Sequence, residues 1–198
     1  MANRCFLVGA IDQTIYRRNE QDDHVYLAGA YSIPLAWLLL FRKSDLVTRT
    51  LEEGESSIEH SGDGPMTATA PLAPRGEALA LLARRSAWIS ELFAVNQGLV
   101  HHLGLFQQYL AAGSHPYLTM ELEEIEILHE EGDLQARLCR CLEALDARSE
   151  SAKDDLVWLS AVMLQHGFPP ITETATDDEL ANVSRLVGHG WVRPTPWD

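Results

Sequence analysis

Apolar residues fall along this chain in three kinds of run, and each kind predicts a different element. The longest uninterrupted run is Leu35 to Phe41, Leu-Ala-Trp-Leu-Leu-Leu-Phe, with no polar side chain over about two helical turns. A helix that is apolar all round must be buried all round. Ser32 is the expected N-cap, and Pro34 suits the first turn, where its missing N–H costs nothing. Arg42 and Lys43 then bring positive charge to the end where the helix dipole favours it. The expectation is a central core helix over residues 32–47, far short of the roughly 20 apolar residues that cross a bilayer.

Short continuous runs predict strands. Cys5 to Ile11 is apolar without alternation, which suits a strand covered on both faces. Val25 to Ala30 reads as a second short strand or an extended lead into the core helix, and Val47 to Leu51 as a further strand. Residues 12–23 are polar and read as a loop. Residues 52–74 carry Glu52, Glu53, Glu55, Glu59 and Asp63 with no Lys or Arg, then Gly62-Asp63-Gly64-Pro65 and a Thr/Ala/Pro-rich tract. Turn chemistry and low hydrophobicity predict a long acidic loop there, of the length that is often mobile or functional.

Runs with a period of 3.6 predict helices through the rest of the chain. From Arg75 to Phe93, a stripe of Leu79, Leu82, Ile89, Leu92 and Phe93 leaves Arg84, Arg85 and Glu91 off the buried face. From Asn96 to Ala112 the stripe is Leu99, Leu103, Phe106 and Leu110, with Gly113 as the stop and Pro116 beyond it. Gly98 and Gly104 each weaken that helix by roughly 1 kcal/mol, so close packing against a neighbour is the expected reason for them. Asp133 to Ala147 opens on a capping Asp and aligns Leu134, Leu138, Cys141, Leu142 and Leu145. The next helix starts near Ser151, runs to Leu164 and stops before Gly167 and Pro169-Pro170. The last starts at Thr176, which forms a capping box with Glu179, and buries Leu180, Val183 and Val187. The tail after it is too rich in Gly, Pro and Trp to be helical, and Trp191 and Trp197 are expected to dock onto the body.

Between these helices lies Tyr117 to Glu131, the most distinctive polar stretch. Leu118, Met120 and Leu122 alternate with polar residues as on a half-buried strand, and Ile125 and Ile127 continue in the opposite phase. A bulge near Glu123-Glu124 would explain that switch; a helix is the competing reading, because Leu118, Leu122, Ile125 and Leu128 also fit helical spacing. The fold class that results is α+β. One domain over residues 1–198 would hold a small sheet, with strands at the N-terminus and near residues 117–127. Five to six helices would pack on it and dominate the C-terminal half.

Composition sharpens this in one respect, the charge. The 198 residues include 29 acidic and 15 basic side chains, for a formal −14. Such a surface repels phosphate backbones and anionic lipid, so neither nucleic acid nor a membrane surface is an expected partner. It suits solubility, and it also suits a basic partner protein. The three cysteines are too few for a disulfide framework, and Cys139 and Cys141 point roughly 200° apart on a helix. Without an apolar secretory stretch at the N-terminus, the expected location is cytoplasmic.

Motifs for chemistry are absent. Gly62-Asp63-Gly64 is followed by Pro and no Lys, so it is no phosphate loop, and no nucleophile elbow occurs. Gly113-Ser114-His115 places a hydroxyl beside an imidazole but falls where a helix should end. His101 and His102 diverge by about 100° on a helix, and His129-Glu130-Glu131 lacks the second His of a zinc hydrolase, so no metal and no cofactor is expected. The dense carboxylates are Glu121, Glu123, Glu124, Glu126, Glu130 and Glu131. On a strand, Glu121 and Glu123 would share one face and Glu124 and Glu126 the other. They read as a solvated acidic face, as a protein-binding face, or as an acid–base pair separated in pKa by burial.

The opening Met-Ala-Asn-Arg-Cys-Phe-Leu resembles the start of a group of stand-alone bacterial proteins that begin Met-Ala-Asn-Arg, aromatic, Leu. Tyr31-Ser-Ile-Pro-Leu-Ala-Trp-Leu-Leu-Leu and, more loosely, Leu122-Glu-Glu-Ile-Glu126 resemble them too. The likeness covers about half the chain in scattered blocks, none of them catalytic, and the 52–74 loop has no counterpart. Small acidic proteins of this type are similar to immunity proteins encoded beside bacterial toxins. The resemblance therefore implies a cytoplasmic immunity or antitoxin-like protein that binds a basic toxin or effector domain. Glu121, Glu123, Glu124, Glu126, Glu130 and Glu131 are the candidate contacts, with Glu52, Glu53 and Glu55 as a second patch. The competing expectations are an enzyme using these carboxylates with His101, His102 or His129, and a regulatory module that pairs through an exposed apolar stripe.

Overall fold

Strands far apart in sequence assemble one antiparallel sheet. A computed structural model describes residues 3–15, 24–50, 67–94, 98–170, 175–190 and 195–197. Among them are β1 (Arg4–Ala10), β2 (Val25–Ala30), β3 (Leu46–Thr50), β4 (Thr67–Pro74), β5 (Tyr117–Glu121) and β6 (His189–Gly190). Their order is β3-β4-β5-β1-β2-β6, every pair antiparallel. The helices are α1 (Leu35–Leu38), α2 (Arg75–Phe93), α3 (Leu99–Ala111), α4 (Glu123–Glu126), α5 (Asp133–Asp146), α6 (Ala152–Ser160) and α7 (Asp177–Val187). The class is α+β, as the patterning predicts.

β1 is buried from Cys5 to Ala10. Cys5 and Leu7 face the main core, while Phe6 and Val8 join Val25 and Ala28 in a small cluster on the opposite face. The Thr/Ala/Pro tract expected inside the long loop is instead the strand β4. Its first half pairs with β3, and Leu72 to Pro74 pair with β5, so Pro71 falls where one ladder hands over to the other. A residue with no N–H is tolerated at that handover but not inside a ladder. Residues 51–66, with Glu52, Glu53 and Glu55, lie outside the described residues.

The water-free segment is buried as predicted, but it is not the helix predicted. Ile33 and Leu35 to Phe41 are all 0% exposed. Yet α1 is a single turn, its N-cap is Pro34 rather than Ser32, and the Ser32 carbonyl instead accepts the Cys5 thiol at 3.2 Å. Past Leu39 the chain leaves helical geometry, makes a 3₁₀ turn at Lys43–Asp45 closed by Asp45 Oδ2 on the Arg42 N–H (2.7 Å), and enters β3. Neither Arg42 nor Lys43 caps the helix end.

Arg85 of α2 does. Its guanidinium donates to the carbonyls of Leu38 (3.5 Å), Leu39 (3.2 Å) and Phe41 (2.6 Å), and to Asp146 Oδ1 of α5 (2.7 Å). The carbonyls that a longer helix would spend internally are spent on a buried cation. Ten residues earlier Arg75 does the same for α3, donating to the carbonyls of Leu110, Ala111 and Gly113. Arg85 therefore lies on the buried face of α2, contrary to the expectation that it sits off the stripe. The buried positions are Ala78, Leu81, Leu82, Arg85, Ile89, Ser90 and Phe93, whereas Leu79 and Leu92 are half-buried.

The C-terminal elements close over α1. Trp37 Nε1 donates to the Val187 carbonyl (3.0 Å), and Trp197, docked as expected, donates to the Gly188 carbonyl (3.0 Å). Trp191 lies outside the described residues. α6 stops at Ser160, short of the expected Leu164, with Ala161 left-handed at φ 54°. The fully buried Asn182 of α7 pins the chain after α6 by bonding Met163 N (2.7 Å), Met163 O (3.0 Å) and Gly167 O (2.7 Å). Of the two glycines expected to allow close packing, Gly98 does so at the N-cap of α3. Its φ is +82°, and a Cβ there would overlap the Phe168 carbonyl. Gly104 has open space beside it, so packing does not explain it. The capping box at Thr176 and Glu179 forms as predicted. Gly132, not Asp133, is the N-cap of α5.

Candidate functional site

β5 carries the acidic segment to the edge of β1 and then releases it. Phe6 opposes Glu121 in the ladder, the last paired position of β5. Beyond it the Glu123 N–H donates to Glu121 Oε1 (3.2 Å), and the N–H groups of Ile125 and Glu126 both donate to the Leu122 carbonyl (3.0 and 2.9 Å). These bonds wind the single turn α4 where a strand bulge was expected. Leu122 and Ile125 enter the core at 4% and 1% exposure. The sharing of strand faces between Glu121 and Glu123, and between Glu124 and Glu126, therefore does not occur.

The structure places the six described candidates along one continuous stretch. Glu121, Glu123, Glu124 and Glu126 are half-buried, and Glu130 and Glu131 are exposed on the turn before α5. Glu124 Oε2 accepts the backbone N–H of Arg4 at 2.9 Å, which fixes α4 to the start of β1. Burial pushes the Glu126 carboxyl above its ordinary value, helped by the charge of Glu123 and opposed by a hydrogen bond from Gln135. On α5, Arg137 and Arg140 are engaged by Asp155 (3.4 and 3.1 Å), and Arg137 also by Asp133 (3.7 Å).

Two features of this region were not foreseen. Ile127, expected to alternate with Ile125, and its neighbour Leu128 are 57% and 44% exposed in the middle of the carboxylates. Tyr31 is 60% exposed with φ 60°, a left-handed conformation that a bulky residue rarely adopts. It is held there by its N–H on the Asn3 carbonyl (2.9 Å), one residue from the Arg4 amide that Glu124 takes. Helical spacing across Leu118, Leu122, Ile125 and Leu128 hinted that the strand would end early; nothing local to Tyr31 signals its geometry.

The candidate histidines are engaged by other partners. His102, one position before Leu103 and read as lying at the edge of the buried stripe, is instead 1% exposed with Nε2 2.9 Å from the Pro169 carbonyl, and burial lowers its pKa. His101 lies edge-on to it at 5.5 Å between ring centres. His129 packs on Trp158 at 4.6 Å, with the Arg137 guanidinium 4.2 Å from the same ring. His115 meets the Tyr26 hydroxyl at 3.1 Å and stacks on His24 at 4.7 Å. Among the described residues no three His, Cys, Asp or Glu side chains are placed to hold one metal ion. The described cysteines are free, Cys5 and Cys141 buried. No described helix is long and apolar enough to cross a membrane.

No family model, curated protein or solved structure matches this chain. The site is therefore read from its own geometry. One further element was missed altogether: a pocket of about 250 Å³ between α2 and the ends of α1 and α5, lined by Arg42, Leu81, Arg84, Arg85, Leu145, Asp146 and Arg148. None of the carboxylate or histidine candidates lines it. The spacing 78, 82, 85, 89, 93 places Arg85 on the buried face of α2, and that is the signal by which the sequence could have found it.

Proposed function

We propose that this chain binds and neutralises a basic toxin or effector domain, in the manner of an immunity protein, through the face built around α4. The observation that carries the reading is the exposure of Ile127 and Leu128 inside the carboxylate segment. An apolar centre with a charged rim is the arrangement of protein interfaces: desolvated contacts hold the complex, and the charge steers and orients the encounter. An acidic segment kept only for solubility gains nothing from two exposed aliphatic side chains. Tyr31, an exposed aromatic in a strained backbone tied to Asn3, the residue before the Arg4 amide that Glu124 takes, is the type of anchor that dominates binding energy. The −14 net charge extends the same attraction beyond the contact area.

The test is co-expression with the product of the adjacent gene, followed by kinetics as a function of salt. Glu130→Lys with Glu131→Lys changes two exposed charges without touching the Glu124–Arg4 contact. It should slow association by about tenfold at low ionic strength and flatten its salt dependence. Leu128→Asp should instead speed dissociation. A neighbouring product that is not toxic and does not bind refutes the reading, and unaltered kinetics in both variants remove α4 from the interface.

A further inference from the structure

The arginine-lined pocket is an island of positive charge in a strongly acidic protein. Three segments distant in sequence bring four guanidinium groups to it: Arg42 after α1, Arg84 and Arg85 from α2, and Arg148 after α5. They do not play equivalent parts. Arg85 forms the floor, its donors committed to three carbonyls and Asp146. Asp146 is the carboxylate in the lining, and it is already paired with Arg85 at 2.7 Å. Among the described residues the Arg42 guanidinium makes a solvent-exposed ion pair with Glu77 at 3.6 Å, the kind that contributes little and exchanges easily. Arg84 and Arg148 are exposed, and among the described residues neither guanidinium has an ion-pair or hydrogen-bond partner.

Like charges converging on a concavity repel one another unless something negative joins them. The protein has 29 acidic side chains against 15 basic ones, so the lack of an ion-pair partner for Arg84 and Arg148 among the described residues is not for want of carboxylates in the chain. Arg148 takes the left-handed position (φ 50°) of the turn that ends α5, with its N–H on the Leu145 carbonyl and the Ser149 N–H on the Ala144 carbonyl, and this helix stop sets its side chain at the rim.

We infer that this pocket binds a small phosphate-bearing anion, with Arg42, Arg84 and Arg148 as its ligands and Arg85 as their support. A carboxylate offers one charge and two oxygens in a plane, which suits one guanidinium. A phosphoryl group offers nearly two charges and three acceptor oxygens in three directions, which suits guanidiniums arriving from three segments. The volume of about 250 Å³ lies just below the range of drug-sized sites, and sets the limit at a small phosphomonoester. This inference is independent of the α4 interface.

Calorimetry on the full chain at low ionic strength tests it, with inorganic phosphate, a nucleoside monophosphate and citrate as probes and sodium chloride of matched ionic strength as the reference. One saturable site for phosphate or for the monophosphate is expected, accompanied by a rise in melting temperature that chloride does not produce. Arg84→Gln and Arg148→Gln alter exposed side chains and leave Arg85 in place, so neither variant should lower the unliganded melting temperature. Each should weaken the anion by about tenfold or more. Tighter binding of the monophosphate assigns the site to a phosphorylated small molecule, and equal binding assigns it to free phosphate. No binding beyond chloride, binding retained when Arg84→Gln and Arg148→Gln are combined, or citrate binding tighter than either phosphate overturns the proposal.

Discussion

Replacing Arg85 is the sharpest test of how the core is held together. The guanidinium is 3% exposed and satisfies backbone carbonyls of the water-free segment at Leu39 and Phe41, with Leu38 at the limit of bonding distance. Hydrogen bonds to a charged donor contribute about 1.5–3 kcal/mol each, and buried acceptors left without a partner cost on that scale. Two such bonds alone would sum to roughly 3–6 kcal/mol. The ion pair adds less than a buried one would, because Asp146 is 35% exposed and keeps the backbone N–H of Lys43 at 3.1 Å. Arg85→Met, which keeps most of the stem volume, should therefore cost about 3–5 kcal/mol. For a chain of this length that lowers the melting temperature by roughly 6–20 °C. Urea unfolding followed by far-ultraviolet circular dichroism measures it, with Arg85→Lys as comparator. The carbonyls are served by one guanidinium nitrogen and Asp146 by the other, a span that the single nitrogen of an ammonium does not cover, so Lys should recover less than half of the loss. A loss under about 1 kcal/mol in Arg85→Met, with the slope against urea unchanged, would refute the claim that this cation ends α1.

Two smaller predictions follow from local geometry. Burial lowers the pKa of His102, so the folded protein holds it neutral while the unfolded chain titrates near 6.5. The unfolded state then binds the extra proton as pH falls below about 6.5, and the contribution of His102 to stability is lost in that direction. His102→Gln, which can still donate to the Pro169 carbonyl, should show a smaller drop in melting temperature between pH 7 and pH 5 than the parent; parallel curves would contradict the linkage. Thr176→Ala removes the acceptor of the Glu179 N–H (3.3 Å) at the start of α7. It should cost about 1 kcal/mol in urea unfolding, and Thr176→Ser should restore most of that.

Much of this architecture can be read from residue patterns because it rests on local rules. The continuous run at Cys5–Ile11 marks a strand covered on both faces, the 3.6-residue stripes mark α2, α3 and α5, and Thr176 with Glu179 marks the start of α7. Burial of Ile33–Phe41 is equally legible, since seven consecutive apolar side chains from Leu35 to Phe41 leave no face for water. Its backbone is not legible, because burial is a property of side chains, whereas helix length depends on where the carbonyls find donors. Here the donor is Arg85, 44 residues beyond Phe41. β4 escapes notice for a related reason: Thr, Ala and Pro carry little strand signal, and only the β3 and β5 ladders on its two sides make it a strand. The acidic segment shows both levels at once. Its carboxylates are plain in the chain, but the ladder bonds ending at Glu121 and the turn wound on the Leu122 carbonyl decide that Ile127 and Leu128 face solvent. The arginine pocket belongs wholly to the tertiary level, because Arg42, Arg84 and Arg148 acquire a common purpose only when α1, α2 and α5 converge. Local periodicity and capping are written in neighbours a few residues apart, whereas the pairing of distant polar groups is settled only by the packed chain.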